Sequence, residues 1–167
     1  RRAKSTSTDM TDQEQMAWDA WAAGFIDGEG CIILHRINPR KFSLRISVGN
    51  TDIRPLHRLQ QMYGGSVRWD RHPRGRPFWV WKTVSLNAAK CLLRVMPWLV
   101  VKHEQAELAI RSRQYMRRGR KTEVELENLE WLKREISRLK TQPMSPPETP
   151  GQRTPSEEGQ EKFTWPI

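Results

Sequence analysis

Apolar and polar positions alternate with period two from Lys41 to Val48. Phe42, Leu44, Ile46 and Val48 fall on one side, and Lys41, Ser43, Arg45 and Ser47 on the other. That is the pattern of a half-buried antiparallel strand with a polar, basic outer face. Just before it, Cys31–Ile37 is an apolar, β-branched run, and Asn38-Pro39-Arg40 supplies turn chemistry between the two. A second pair of strands, Ser66–Asp70 and Phe78–Ser85, flanks a basic, Pro/Gly-rich loop. For the last strand the pattern leaves two facings open. Either Trp79, Trp81 and Thr83 or Val80, Lys82 and Val84 lie on the outer side.

Elsewhere the period changes to that of a helix. Thr11 with Glu14 three residues later is a capping box, and the helix it opens is expected to run to about Asp27, with Gly28 and Gly30 stopping it. Trp18, Trp21 and Phe25 make a bulky stripe along it. Ala17, Ala20 and Gly24 make a stripe with almost no side-chain volume, where another backbone can approach closely. Asp52 caps a helix over Ile53–Tyr63 that ends at Gly64-Gly65. Asn87 is expected to cap a helix to about Met96, with Pro97 interrupting and a longer helix following to about Tyr115. Thr122 and Glu125 form a second capping box, opening a helix to about Lys140 with Leu126, Leu129, Leu132, Ile136 and Leu139 on one face and Glu130 paired to Arg134.

The resulting order, α-ββ-α-ββ-α-α-α, predicts an α+β fold: a four-stranded antiparallel sheet with helices on one face and the basic strand residues on the other. The folded domain spans residues 11–140. Residues 1–10 read as a flexible N-terminus, and residues 141–167, rich in Pro, Ser, Thr and Glu, as a disordered tail that ends with Phe163, Trp165 and Ile167. The eight Trp are assigned mostly to the core.

Charge changes the picture. The net charge is +10, yet residues 31–121 alone hold 20 Lys+Arg against 4 Asp+Glu, with acidic segments on both sides. Such a concentration of cations within the fold must be relieved by something, and nucleic acid is the first candidate. No apolar run approaches a membrane span, and two distant cysteines form neither a disulfide scaffold nor a zinc knuckle. A reducing, intracellular compartment follows as the expectation.

Chemistry concentrates at the end of the first helix, where Asp27-Gly28-Glu29-Gly30 leads directly into a strand. A carboxylate there projects past the helix end, beside the basic strand face, and carboxylate oxygens suit Mg²⁺. The carbonyl of Gly28, freed at a helix terminus, is a second possible ligand. The segment Ala22-Ala23-Gly24-Phe25-Ile26-Asp27-Gly28-Glu29-Gly30 resembles the LAGLIDADG motif of homing endonucleases, departing at the first position. Pro97-Trp98-Leu99-x-x-Lys102-x-x-Gln105-Ala106-x-Leu108 resembles that family's segment after the fourth strand.

The resemblance implies the αββαββα endonuclease fold over roughly residues 11–140, with the sheet as a DNA-facing saddle. It implies metal binding at Glu29 and Gly28, with Mg²⁺ as the cofactor and Mn²⁺ as a substitute. It gives Lys102 the role of polarising water or stabilising the charged transition state, places Arg54 at the active-site periphery, and gives Asn50 a water-ordering position. Asp27 falls at a position that is mainly structural. With a single motif copy, a homodimer is implied, its helices packed through Ala17, Ala20 and Gly24. The implied reaction is site-specific hydrolysis of double-stranded DNA, one strand per subunit, leaving short 3′ overhangs. His35, Lys41, Ser43, Arg45, Ser47, Arg68 and Asp70 are candidates for DNA contact, mainly at base edges. Arg71, Arg74, Arg76 and the 111–121 cluster are candidates for phosphates. Two other uses of such a fold stay open: a DNA-binding regulator without cleavage, and an RNA-binding maturase.

Overall fold

A computed structural model describes residues 11–71, 75, 77–116 and 119–141. The readings made above for residues 1–10, 142–167, Arg74, Arg76, Arg117 and Arg118 lie outside the described residues. The chain runs α1 (Asp12–Glu29), β1 (Gly30–Asn38), β2 (Lys41–Asn50), α2 (Ile53–Tyr63), β3 (Ser66–Arg71), β4 (Pro77–Val84), α3 (Ser85–Val95), α4 (His103–Arg111) and α5 (Glu123–Thr141), with 3-10 turns at Met96–Trp98 and Ser112–Tyr115. The fold is α+β, as the periodicity implied.

Two antiparallel hairpins, β1–β2 and β3–β4, join through an antiparallel pairing of β2 with β4, giving the order β1-β2-β4-β3. Register fixes the faces. Ile32 pairs with Ile46, Ile46 with Thr83, Val48 with Trp81, and Trp81 with Val67. Ile32, Leu34, Phe42, Leu44, Ile46, Val48, Trp81 and Thr83 are buried under the helices. This decides the open facing of β4: Trp79, Trp81 and Thr83 look inward, and Val80, Lys82 and Val84 share the outer face with Arg45 and Ser47. A one-residue slip would have exposed the whole apolar set, so the burial of Trp81, whose indole N–H donates to the Gly64 carbonyl at 2.8 Å, holds the register.

α1 opens with the expected capping box at Thr11 and Glu14. It runs two residues beyond the expected stop, so that Gly28 is helical and Gly30 is the cap. Gly30 is required there by space: a Cβ would sit 2.5 Å from the Ile26 carbonyl oxygen. The helix buries Asp19, Ala22, Ala23 and Ile26. The aromatic stripe is only half-buried, with Trp18 edge-on to Trp21 and Trp21 stacked on Phe25.

Four expectations are corrected. Asn87 does not cap α3. The helix begins at Ser85, in a left-handed conformation (φ 53°) that few non-glycine residues adopt, and it has no side-chain cap. The longer helix expected after Pro97, to about Tyr115, is shorter: residues 99–102 leave helical geometry to meet the end of α1, and α4 gives way to a 3-10 turn at Ser112. Glu130 pairs with Arg36 on β1 at 2.6 Å and with Lys133 on its own helix at 3.5 Å rather than with Arg134. The described Trp residues are not mostly core. Trp81 is fully buried, whereas Trp69, Trp98 and Trp131 are about half exposed.

Candidate active site and nucleic-acid face

α1 delivers Glu29, its last residue, to an exposed position. Glu29 lines an open hollow with Gly49, Asn50, Thr51 and Phe78. Glu29 and Asn50, 21 positions apart in sequence, thus border one hollow. They do so because α1 feeds β1, β1 pairs with β2, and the far end of β2 returns alongside that junction. The Phe78 ring lies over Gly49, where a Cβ would stand 3.1 Å from it. Asn50 accepts the Asp52 N–H through its side-chain oxygen at 2.8 Å, which fixes the amide and leaves its NH₂ as the donor end.

Lys102 lines a separate cleft with Gly30, Cys31 and Gln105. Its ammonium donates to the Asp27 carbonyl oxygen. The Asp27 carboxylate in turn accepts the N–H groups of Val100 (2.7 Å), Val101 (3.1 Å) and Lys102 (2.9 Å). The sequence alone marked Asp27 as a helix-end residue and missed this clamp, since nothing local links positions 27 and 100–102.

Arg54 is committed to Asp52. Its guanidinium bonds Asp52 at 2.9 and 2.5 Å. This hydrogen bonding holds the Asp52 carboxyl down at about 2, below its ordinary value, and pushes Arg54 upward. The carboxylate at the cap offsets a cation placed on the first turn of a helix.

The outer sheet face carries the candidate reading residues. His35, Lys41, Arg68 and Asp70 are exposed there and Arg45 and Ser47 half-buried, while Arg71, exposed at the end of β3, falls on the other side of the sheet by register. Ser47 pairs with Cys31 on one side and Lys82 on the other, and Lys82 pairs with Ser66, so one row of side chains crosses all four strands. At about 4.8 Å per strand the row spans about 14 Å, comparable to the width of a DNA major groove. Ser43 shares the face but is buried, its hydroxyl within 3.2 Å of that of Ser85, so it is not presented with the others.

On α1, Ala17, Gly24 and Gly28 are exposed, opposite the buried stripe. A Cβ added at Gly24 or Gly28 would meet nothing within 4 Å. Among the described residues no three His, Cys, Asp or Glu side chains gather in a metal-binding cluster, and no helix is long and apolar enough to cross a membrane. Away from the site, Asp19 is buried and bonded to Tyr63 (2.6 Å) and Arg94 (2.7 Å). Burial and that bond raise the Tyr63 hydroxyl, and burial pushes the neighbouring Cys91 thiol up to about 12.

In fold, this α+β arrangement matches that of the LAGLIDADG homing endonucleases among solved structures. Solved structures agree. The homing endonuclease I-CvuI, crystallised with its target in the presence of calcium, matches at 21% identity with a TM-score of 0.66, covering 80% of this chain and 88% of that one. The archaeal intron-encoded homing endonuclease I-Vdi141I, complexed with DNA, matches at 14% identity with a TM-score of 0.62, over 80% of this chain and 89% of that one. The meganuclease I-SmaMI, bound to DNA, matches at 16% identity with a TM-score of 0.56; 83% of this chain aligns with only 48% of that one. No protein-family description matches the sequence, and no curated protein sequence matches it.

Proposed function

We propose that the chain is a site-specific endonuclease of double-stranded DNA, working as a homodimer with a divalent cation and leaving short 3′ overhangs. One observation carries this reading: the exposed Glu29 carboxylate shares a hollow with Asn50 at the border of a face bearing Arg45, Arg68 and Lys82. A DNA-binding regulator has no use for a solvent-exposed carboxylate beside a phosphate-attracting surface, because it would repel the ligand.

The residues present fit a Mg²⁺ ion, with Mn²⁺ as a substitute. Asp27 is consumed by three N–H donors, which leaves Glu29 as the available carboxylate at the helix end, with the exposed Gly28 beside it. One carboxylate per site, completed by water and phosphate oxygens, is ordinary for Mg²⁺. Bound there, the cation would neutralise charge on the phosphate and its leaving oxygen. Glu29 holds the charge balance of the site. The Asn50 NH₂ is placed to orient water. The Lys102 ammonium, anchored to the Asp27 carbonyl, supplies positive potential from its separate cleft.

A homodimer fits the small, open face of α1, where Gly24 and Gly28 leave room for a second helix. I-SmaMI aligns over about half its length, which leaves space there for a second unit of this size. Two copies would bring two Glu29 carboxylates together, a repulsion that cations between them relieve. Each copy would then cut one strand. A reducing compartment fits the free thiols Cys31 and Cys91.

Incubation with a randomised duplex library in Mg²⁺, followed by sequencing of cut ends, tests the proposal. Recurrent cutting at one extended sequence, abolished by a chelator, is the expected result. Binding with no cutting at any sequence in Mg²⁺ or Mn²⁺ sinks it.

A further inference from the structure

On the DNA-binding reading above, we propose that the row Ile33–Arg45–Val84 on the outer sheet face reads a guanine with thymine beside it. Arg45 takes the guanine edge, and the two aliphatic side chains take thymine methyl groups on neighbouring base pairs. Register puts the three residues side by side: Ile33 pairs with Arg45 across β1 and β2, and Arg45 with Val84 across β2 and β4. At about 4.8 Å per strand the row covers about 10 Å, close to three base steps of about 3.4 Å.

This row differs from its neighbours. Two residues along the strands, Ser47, Lys82 and Ser66 are polar, and in the other direction His35 pairs with Ser43. Val80 also points outward but is only 6% exposed. Val84 is 49% exposed, and Ile33 is half-buried. Val84 is held in place, because the next residue, Ser85, starts α3 and its hydroxyl lies 3.2 Å from that of Ser43 on β2. The aliphatic pair is therefore a fixed part of the face and not a fraying strand end.

Between the two aliphatic neighbours, Arg45 is half-buried. Among the described residues no hydrogen bond or ion pair engages it. The one carboxylate on the described strands, Asp70, stands opposite Phe78, six residues along β4 from Val84 and about 20 Å away along the strand. A half-buried guanidinium has five N–H donors and no acceptor of its own, so its pairing is incomplete until a ligand supplies one. Guanine supplies two, O6 and N7, in the geometry of the guanidinium fork, and thymine supplies a C5 methyl for an apolar wall beside it.

The test starts from a duplex selected by binding to the wild-type chain in Ca²⁺. Each thymine is then replaced singly by deoxyuridine, which removes only the C5 methyl. Affinity is measured for wild type, Ile33→Ser and Val84→Ser, with thermal unfolding to confirm that the variants fold. The wild-type comparison of thymine with deoxyuridine needs no variant at all. The proposal predicts a thymine next to a guanine where deoxyuridine weakens wild-type binding about fourfold, the value of one buried methyl. Each Ser variant abolishes the penalty at its own position and keeps it at the other. Arg45→Gln moves the preference at the neighbouring base pair from guanine toward adenine. A selected site with no thymine beside guanine, no deoxyuridine penalty in wild type, or penalties that persist in both Ser variants overturns the proposal and leaves DNA binding standing. A wild-type chain that selects no duplex overturns the DNA-binding reading, and this proposal with it.

Discussion

Asp27 and Lys102 grip each other in both directions: the Asp27 carboxylate accepts the Lys102 N–H at 2.9 Å, while the Lys102 ammonium donates to the Asp27 carbonyl. They are 75 positions apart in the chain. The contact ties the last turn of α1, which carries Glu29, to the loop that starts α4, so the two halves of the candidate site cannot drift apart independently.

Replacing Asp27 with Ala removes a charged acceptor shared by three N–H groups. Hydrogen bonds to charged groups contribute about 1.5–3 kcal/mol each in favourable settings. Because Val100 and Val101 are exposed and water can replace part of this, we expect a total loss of about 2 kcal/mol. In a domain of this size that lowers the melting temperature by about 4–8 °C. Calorimetry of Asp27→Ala against Asp27→Glu checks it; an unchanged melting temperature in the Ala variant removes the clamp from the account.

Glycines at the end of α1 should behave in opposite ways. Gly30→Ala forces a Cβ to within 2.5 Å of a carbonyl oxygen and should unfold the α1–β1 junction. Gly24→Leu meets open space in the single chain and should leave the monomer folded with its helix slightly strengthened. The same change fills the face proposed for the second copy. Sedimentation of Gly24→Leu is expected to show a folded monomer under conditions where wild type is a dimer, and a persistent dimer contradicts that interface.

Asp52 gives a pH signature. Its carboxyl is held at about 2 by Arg54, against an ordinary value of 3.8. A depressed carboxyl contributes stability that is complete above the ordinary value and is lost as pH falls through the folded one. The α2 cap should therefore stay intact at pH 3 and release near pH 2. An NMR titration of the Asp52 side chain measures the midpoint directly. In the variant Arg54→Ala, the midpoint should move back toward 3.8.

On the sheet face, Arg45→Ala and Lys82→Ala should act differently from changes at the rim. On the proposed reading, loss of a central base-reading group relaxes sequence preference by about 1–3 kcal/mol at one position, whereas loss of Arg71, proposed to meet phosphate, weakens all sequences alike and lowers the salt dependence by about one ion. Binding measured across single-base variants of the selected site, at several salt concentrations, separates the two.

Much of this was legible from residue patterns. The alternation in Lys41–Val48 gave the inward face of β2, and both capping boxes formed where Thr11 and Thr122 stand. What stayed hidden was tertiary. The facing of β4 needed its register against β2, because Trp on one side and Val with Lys on the other are both plausible half-buried sets. Glu130 chose Arg36 on β1 over Arg134 on its own helix. Asn50 and Glu29 could be called neighbours by resemblance, but only the pairing of β1 with β2 brings them to one hollow. Arg54, placed at the site periphery by resemblance, closes on Asp52, a bond that two-residue spacing allows and that no period reveals.

The central claim is that Glu29 makes this fold a nuclease rather than a binder. The most direct measurement is the single-turnover cleavage rate of Glu29→Gln on the selected duplex in Mg²⁺, alongside its affinity for the same duplex in Ca²⁺. The account predicts affinity within about threefold of wild type, since the change is isosteric and removes a repulsive charge, with cleavage reduced by about a thousandfold or more. Cutting at the wild-type rate by the Gln variant would contradict the account.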